Sequence, residues 1–270
     1  MLHPGHQLTQ LNRLYEALEI KAEEFDDVVK MGRTQLQDAV PIRLGQSFHA
    51  YASAIQRDIR RLHKASKDLC VVNMGATAIG TAINVSADYL EHIVPELREI
   101  TKFPLLQATD LIDGTQNLDC FVNVSGIVKT CAVNLSKISN DPRLMSSGPR
   151  TGLAEINLPP KQNGSSIMPG KVNPVIPEVM SQVAFSVIGN DACITMAAEA
   201  GQLELNAFEP VLFYGSTAQF GKSIRPKILP HTKVIKGREY CMRGSFYCLL
   251  FARRQRPIPR QSRAARAKLR

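Results

Sequence analysis

The sequence predicts an all-α protein built as a bundle of long helices. Apolar residues recur at alternating spacings of three and four along two stretches, and nearly so along a third. Those stretches suit helices of about 30 Å or more, a length natural to a bundle. No stretch alternates with period two for long enough to predict a sheet.

The first stripe is Leu11, Leu14, Leu18, Ala22, Phe25 and Val28. The second is Phe48, Ala52, Ile55, Ile59, Leu62, Ser66 and Leu69, with one polar member. The third is Phe121, Val124, Val128, Cys131, Leu135 and Ile138, an unbroken a/d pattern. Stripes of this period face neighbouring helices packed close to parallel or antiparallel. A fourth helix carries Val175, Val179, Val183 and Val187 and is expected to end near Gly189-Asn190. Between the helices lie three segments marked by Gly and Pro, at 31–46, 73–81 and 146–177. A loop as long as the last is uncommon in a compact helical protein unless it has a task, often as an active-site lid.

Of the 270 residues, 44% are apolar and 21% charged, so a packed core is expected and wholesale disorder is not. The formal net charge is +9, which by itself would suggest nucleic acid or an anionic surface as partner. It is unevenly spread. Residues 213–270 hold 15 Lys+Arg against a single acidic residue, Glu239, a net +14, while residues 1–212 come to −5. With no Trp and 6% aromatic residues, a base-stacking surface is not expected, and nucleic acid is not the expected partner. The opening MLHPGHQLTQ lacks the pattern of a secretory signal, and no apolar run approaches the ~20 residues that span a bilayer. The six cysteines form no CxxC pair, so reduced thiols, a cytoplasmic location and no metal site are the expectations.

The long loop holds the densest chemistry. Gly164-Ser165-Ser166-Ile167-Met168-Pro169-Gly170-Lys171-Val172-Asn173-Pro174 gathers two hydroxyls, a lysine and an amide between two glycines. Asn173-Pro174 reads as an N-cap followed by the first helical position. Groups just ahead of a helix start share its positive end, a good place to hold a carboxylate. On composition alone, the same segment also reads as a polar surface loop. Gly75 to Gly80 has the spacing of a phosphate loop but is followed by Thr81-Ala82, not Lys-Ser/Thr, which excludes that reading. His49, His63 and His92 sit singly on expected helices and read as surface or core residues.

The string GSSIMPGKVNP resembles the signature of the fumarase/aspartase superfamily of lyases. Further segments match the same pattern: Gly32 through Pro41 (GRTQLQDAVP) with Leu44-Gly45-Gln46, Asn73 through Thr81, and Gly189 through Asn206. The resemblance runs from about Leu11 to Leu212, and within the superfamily it is stronger to aspartate ammonia-lyases than to fumarases. Thr34-Gln35, where fumarases carry Thr-His, and the segment AAEAGQLELN favour the former. The resemblance implies the family's central helical domain over 1–212, with 213–270 a basic tail foreign to the bundle.

It further implies reversible anti-elimination of ammonia from L-aspartate to give fumarate, with no cofactor and no metal. By position Ser165 matches the catalytic base. Lys171 and Asn173 match carboxylate-binding positions, Ser166 supplies another donor, and Thr34 matches a substrate contact. Gln35 stands at the frequent histidine, where it donates a hydrogen bond but does not titrate; a structural amide is the other reading. Glu178 stands where relatives place that histidine's carboxylate partner, and equally reads as an acidic residue favouring a helix start. The implied partners are a small dicarboxylate (L-aspartate or fumarate) and three further copies in a homotetramer, with no membrane. No segment here matches the family's preceding domain, whose loops contribute to substrate binding, so activity of this chain by itself is in question. A fumarate hydratase-like lyase is the alternative, and a non-catalytic helical fragment with a basic nucleic-acid-binding tail is the alternative of another class.

Overall fold

The computed structural model describes residues 4–219 and 253–254. Apart from α7 and a two-residue strand named below, the basic tail lies outside the described residues.

The long helices form where the stripes place them. Helix α1 spans Pro4–Glu24, α2 Leu44–Ala65, α5 Asp119–Met145, α6 Val175–Glu199 and α7 Glu209–Gln219. Helix α1 packs along α2, α5 along α6, α6 along α7, and α2 against α5. Leu11, Leu14, Leu18, Ala22 and Phe25 are all buried, as are Phe48, Ala52, Ile55 and Leu62. They merge with Cys131, Leu135 and Ile138 into one apolar core. The Phe25 and Phe48 rings meet at 5.3 Å between centroids. Each Leu, Ile or Phe side chain removed from water here contributes about 1.5–3 kcal/mol before entropy is charged against it. The all-α bundle predicted from the stripes is the architecture found.

Four details differ from expectation. Segment 31–46 is not a plain connection, because Val29–Thr34 (β1) and Gln37–Arg43 (β2) pair as an antiparallel hairpin. Its turn residues Gln35 and Leu36 both adopt left-handed backbone, with φ of 51° and 65°, as the tight primed turns require. The hairpin buries neither face completely, so its sequence shows no period-two alternation. Its register shifts between Met31 and Arg33, and a Cβ on the intervening Gly32 would lie 2.7 Å from the Val40 carbonyl oxygen.

Helix α6 starts one residue later than expected. Pro174, with ψ of 65°, stays outside the helix, and the Asn173 side chain makes no cap. Nor does α6 stop at Gly189-Asn190; it continues to Glu199, because Asp191, Ile194 and Ala197 carry the buried face onward. That face consists of Pro177, Met180, Ser181, Ala184 and Val187, while Val179 of the expected stripe is 40% exposed.

Between α2 and α5 the chain forms a smaller layer. Val71–Val72 (β3) pairs in parallel with Leu106–Gln107 (β4), flanking α3 (Ala87–Thr101); the short α4 (Asp113–Gln116) follows. Ser86 caps α3, its Oγ accepting from the Tyr89 N–H at 3.2 Å. Ile156–Asn157 (β5) pairs antiparallel with Arg253–Arg254 (β6). Leu212 lies inside α7, and Phe213 stacks edge-on against Phe121 at 5.5 Å.

Buried polar groups fix the helices in register. Asp58 of α2, 1% exposed, accepts from the Asn134 side chain of α5 at 2.8 and 3.1 Å and from Arg61 at 2.9 Å. The Tyr51 hydroxyl donates to Asp141 at 2.8 Å, and burial together with that carboxylate pushes its pKa well up. Asp191 of α6 joins Lys129 at 2.5 Å and Ser125 at 2.7 Å, both on α5. Cys70, Cys120, Cys131 and Cys193 are free thiols.

Candidate active site

The serine loop is rooted before it is exposed. The Glu155 N–H donates to the Met145 carbonyl at 2.8 Å, and Ile156 is wholly buried in the main core. Beyond that root the chain leaves the bundle and closes on itself. The Ser165 N–H donates to the Lys171 carbonyl at 3.0 Å, and the Lys171 N–H to the Met168 carbonyl at 3.1 Å. Gly170 makes the closure possible: its φ of 81° is backbone that side chains rarely adopt.

Inside this ring the Ser165 Oγ accepts two backbone N–H groups, from Met168 at 3.1 Å and Ile167 at 3.3 Å. Two fixed dipoles therefore point at one hydroxyl oxygen. Such donors favour negative charge there, the arrangement needed to make a serine alkoxide accessible. Ser165 is half-buried, whereas Ser166, Lys171 and Asn173 are exposed. Among the described residues the Ser166, Lys171 and Asn173 side chains make no hydrogen bond or ion pair. Ile167, 85% exposed, and Met168 leave apolar surface beside them.

Thr34 and Gln35 lie on the hairpin, Thr34 at the end of β1 and Gln35 in the left-handed turn, both exposed. The structure shows no bond between either side chain and the serine loop within this chain. What links the two segments is Glu155, absent from the sequence-based site. Its carboxylate, 15% exposed, pairs with Arg33 and, at 3.1 Å, with Lys30. Arg33 directly precedes Thr34, and Glu155 lies ten residues before Ser165. An acidic residue at the root of a loop and Arg33 of the hairpin motif were the available signal; their separation of 122 residues hid the pairing. Glu178 at the start of α6 pairs with Arg143 of α5 at 3.0 Å, and not with Gln35. Among the described residues no group of three or more His, Cys, Asp or Glu side chains is placed to hold a metal ion.

A family profile described as "Lyase" matches residues 6–189, about two thirds of the chain. The chain belongs to this lyase family, within the fumarase/aspartase superfamily. The lyase chain is 55% identical over 207 residues to an aspartate ammonia-lyase of Bacillus subtilis (strain 168), covering 77% of this chain and 44% of that protein. To an aspartate ammonia-lyase of Escherichia coli (strain K12) it is 55% identical over 202 residues, covering 75% of this chain and 42% of that protein. It spans less than half the length of these curated relatives.

Among solved structures it is similar to a fumarate lyase:delta crystallin from Brucella melitensis bound to cobalt. The TM-score is 0.81 at 45% identity, covering 92% of this chain and 51% of that one. A class II fumarase from Schistosoma mansoni follows, with a TM-score of 0.78 at 31% identity, covering 92% and 52%. Membership of the superfamily and likeness to aspartate ammonia-lyases, both expected from the motifs, are borne out. No helix among the described residues is long and apolar enough to cross a membrane.

Proposed function

We propose that the chain serves as an aspartate ammonia-lyase, eliminating ammonia reversibly from L-aspartate to give fumarate. The observation that carries this reading is the focus of the Ile167 and Met168 N–H groups on the Ser165 oxygen. A serine hydroxyl is a poor base in water. A base of this kind therefore needs donors already aimed at its oxygen, in a site that excludes water.

The steps follow from the groups present. The Ser165 alkoxide takes a proton from the substrate carbon next to the carboxylate. The electron pair moves into that carboxylate, giving an aci-carboxylate dianion. The bond from carbon to the substrate's ammonium nitrogen then breaks, the double bond forms, and neutral ammonia leaves while Ser165 keeps the abstracted proton. Lys171 contributes the positive charge that the dianion requires, and Asn173 and Ser166 add donors to the same carboxylate. Thr34 and Gln35 bind substrate from the hairpin side. Gln35, an amide, orients a group without exchanging a proton with it.

In this reading, as the family resemblance implies, the site is shared between copies in a homotetramer. The proposed location is the cytoplasm, and no cofactor enters the reaction. The class II fumarase likeness supports a second reading, in which L-malate loses water at the same site. Ultraviolet absorbance of fumarate, followed separately with L-aspartate and L-malate and with Ser165→Ala beside the native chain, tests both. Turnover of malate alone overturns the substrate; activity unchanged in Ser165→Ala overturns the base.

A further inference from the structure

We propose that Glu155 is a positioning residue that couples the Thr34–Gln35 turn to the order of the Ser165 loop; its part in catalysis rests on the function proposed above, but the coupling does not. Glu155 is held from both sides. Its backbone N–H is tied to the end of α5 through the Met145 carbonyl, and its neighbour Ile156 is buried in the core. Its carboxylate reaches across to two cations of β1, Lys30 and Arg33, whose side chains are 16% and 22% exposed. Arg33 also donates to the Met31 carbonyl at 3.3 Å and lies 3.6 Å from Asp38, so its guanidinium spans the hairpin just below the turn.

Away from its base, where Arg43 pairs with Asp26 at 2.6 Å and the Leu44 N–H donates to the Val28 carbonyl at 2.7 Å, the hairpin has little else to hold it. Thr34 through Val40 are exposed, and the register breaks at Gly32. A hairpin without a buried face depends on such tethers for a fixed position. The serine loop is likewise exposed from Lys161 to Gly164 and from Ser166 to Asn173. A nearly buried carboxylate with two cationic partners is costly to leave half-paired, so losing one cation disturbs the whole group. Loosening on either side of Glu155 is thereby transmitted to the other.

Hydrogen exchange of the full chain, read by mass spectrometry on peptides, tests this without requiring turnover. The readout is exchange in peptides covering Ser165–Lys171 and Val29–Asp38 in Glu155→Gln, Arg33→Gln and the double variant. Arg33→Gln is expected to speed exchange in the remote serine loop roughly five- to tenfold. Glu155→Gln should do the same to the hairpin, and the double variant should add little to either single change. Exchange in α2 and α5 should stay as in the native chain, which separates the effect from general unfolding.

Arg33→Lys, which keeps the charge, is expected to restore most of the loop protection and serves where Arg33→Gln does not fold. Effects confined to each variant's own segment, or summing in the double variant, overturn the coupling. Coupled exchange without elimination of ammonia leaves the coupling standing and removes the catalytic reading. Elimination with uncoupled exchange does the reverse.

Discussion

Replacing Asp58 by alanine probes the frame on which both motif segments stand. Helix α2 begins directly after the hairpin, and α5 leads to the root of the serine loop. Asp58 is 1% exposed and holds the two helices together through both of its oxygens. The truncation leaves the half-buried Asn134 amide without its acceptor, a loss of about 1.5–3 kcal/mol for a bond to a charged group. Arg61 also loses its partner, but it is 45% exposed and water replaces much of that contact, so it adds at most about 1 kcal/mol. The expected destabilisation is therefore about 2–4 kcal/mol. With a slope of about 1–3 kcal/mol per molar urea, the unfolding midpoint should fall by roughly 1 M or more. Circular dichroism against urea measures it. Asn134→Ala should cost far less in the Asp58→Ala background than in the native chain. A midpoint unmoved by Asp58→Ala, or an Asn134→Ala cost that stays the same in both backgrounds, refutes the reasoning.

Other outcomes follow from the same geometry. Gly45→Ala should destabilise the chain, since its Cβ would lie 2.3 Å from the Ala22 carbonyl oxygen and 2.9 Å from the Asp26 Cα; thermal melting checks it, and an unchanged melting point would falsify this account of the Leu44-Gly45-Gln46 motif. Glu178→Gln should shift stability by no more than about 1 kcal/mol, because its pair with Arg143 is partly exposed on both sides. A large loss of turnover in that variant at unchanged stability would assign Glu178 a part in the reaction. Thiol labelling should modify the exposed Cys193 rapidly and Cys131 only on unfolding, since burial pushes the Cys131 thiol well up; equal rates would contradict the burial. His92 should titrate above its ordinary 6.5 because its ring N–H donates to the Asp88 carbonyl at 2.8 Å. The bond's contribution to α3 is then full at pH below the ordinary value and lost as pH rises through the raised one. An NMR titration reads the midpoint, and one at or below 6.5 refutes the bond.

The bundle was legible because burial repeats along a helix. Leu11 through Phe25 and Phe48 through Leu62 announce their faces by spacing, and those are the faces found buried. The hairpin was not legible, because a strand pair that buries neither face leaves no alternation to read. Its turn also uses Gln35-Leu36 in left-handed backbone, without the Asn-Gly or Asp-Gly that usually marks such a turn. The end of α6 misled because Gly189 ordinarily suggests a stop, yet Ile194 and Ala197 bury enough surface beyond it to carry the helix on. In the site, the GSS…KxN string pointed to the residues. It could not show that the Ile167 and Met168 N–H groups turn toward Ser165, since that follows from ring closure through Lys171 and Gly170. Glu155 was hidden for a different reason. A long-range ion pair has no periodicity, and only the fold brings its partners together.

The most direct test of Ser165 as the proton-abstracting base is the fate of the substrate's Cβ hydrogens in heavy water. An aci-carboxylate that forms before the C–N bond breaks can return to aspartate by picking up deuterium. NMR of L-aspartate incubated with the folded chain, with fumarate followed by absorbance, reads both exits from that species. The account predicts deuterium at Cβ together with fumarate, and loss of both in Ser165→Ala at unchanged fold. Neither signal from the folded native chain, or equal signals from Ser165→Ala, would contradict it.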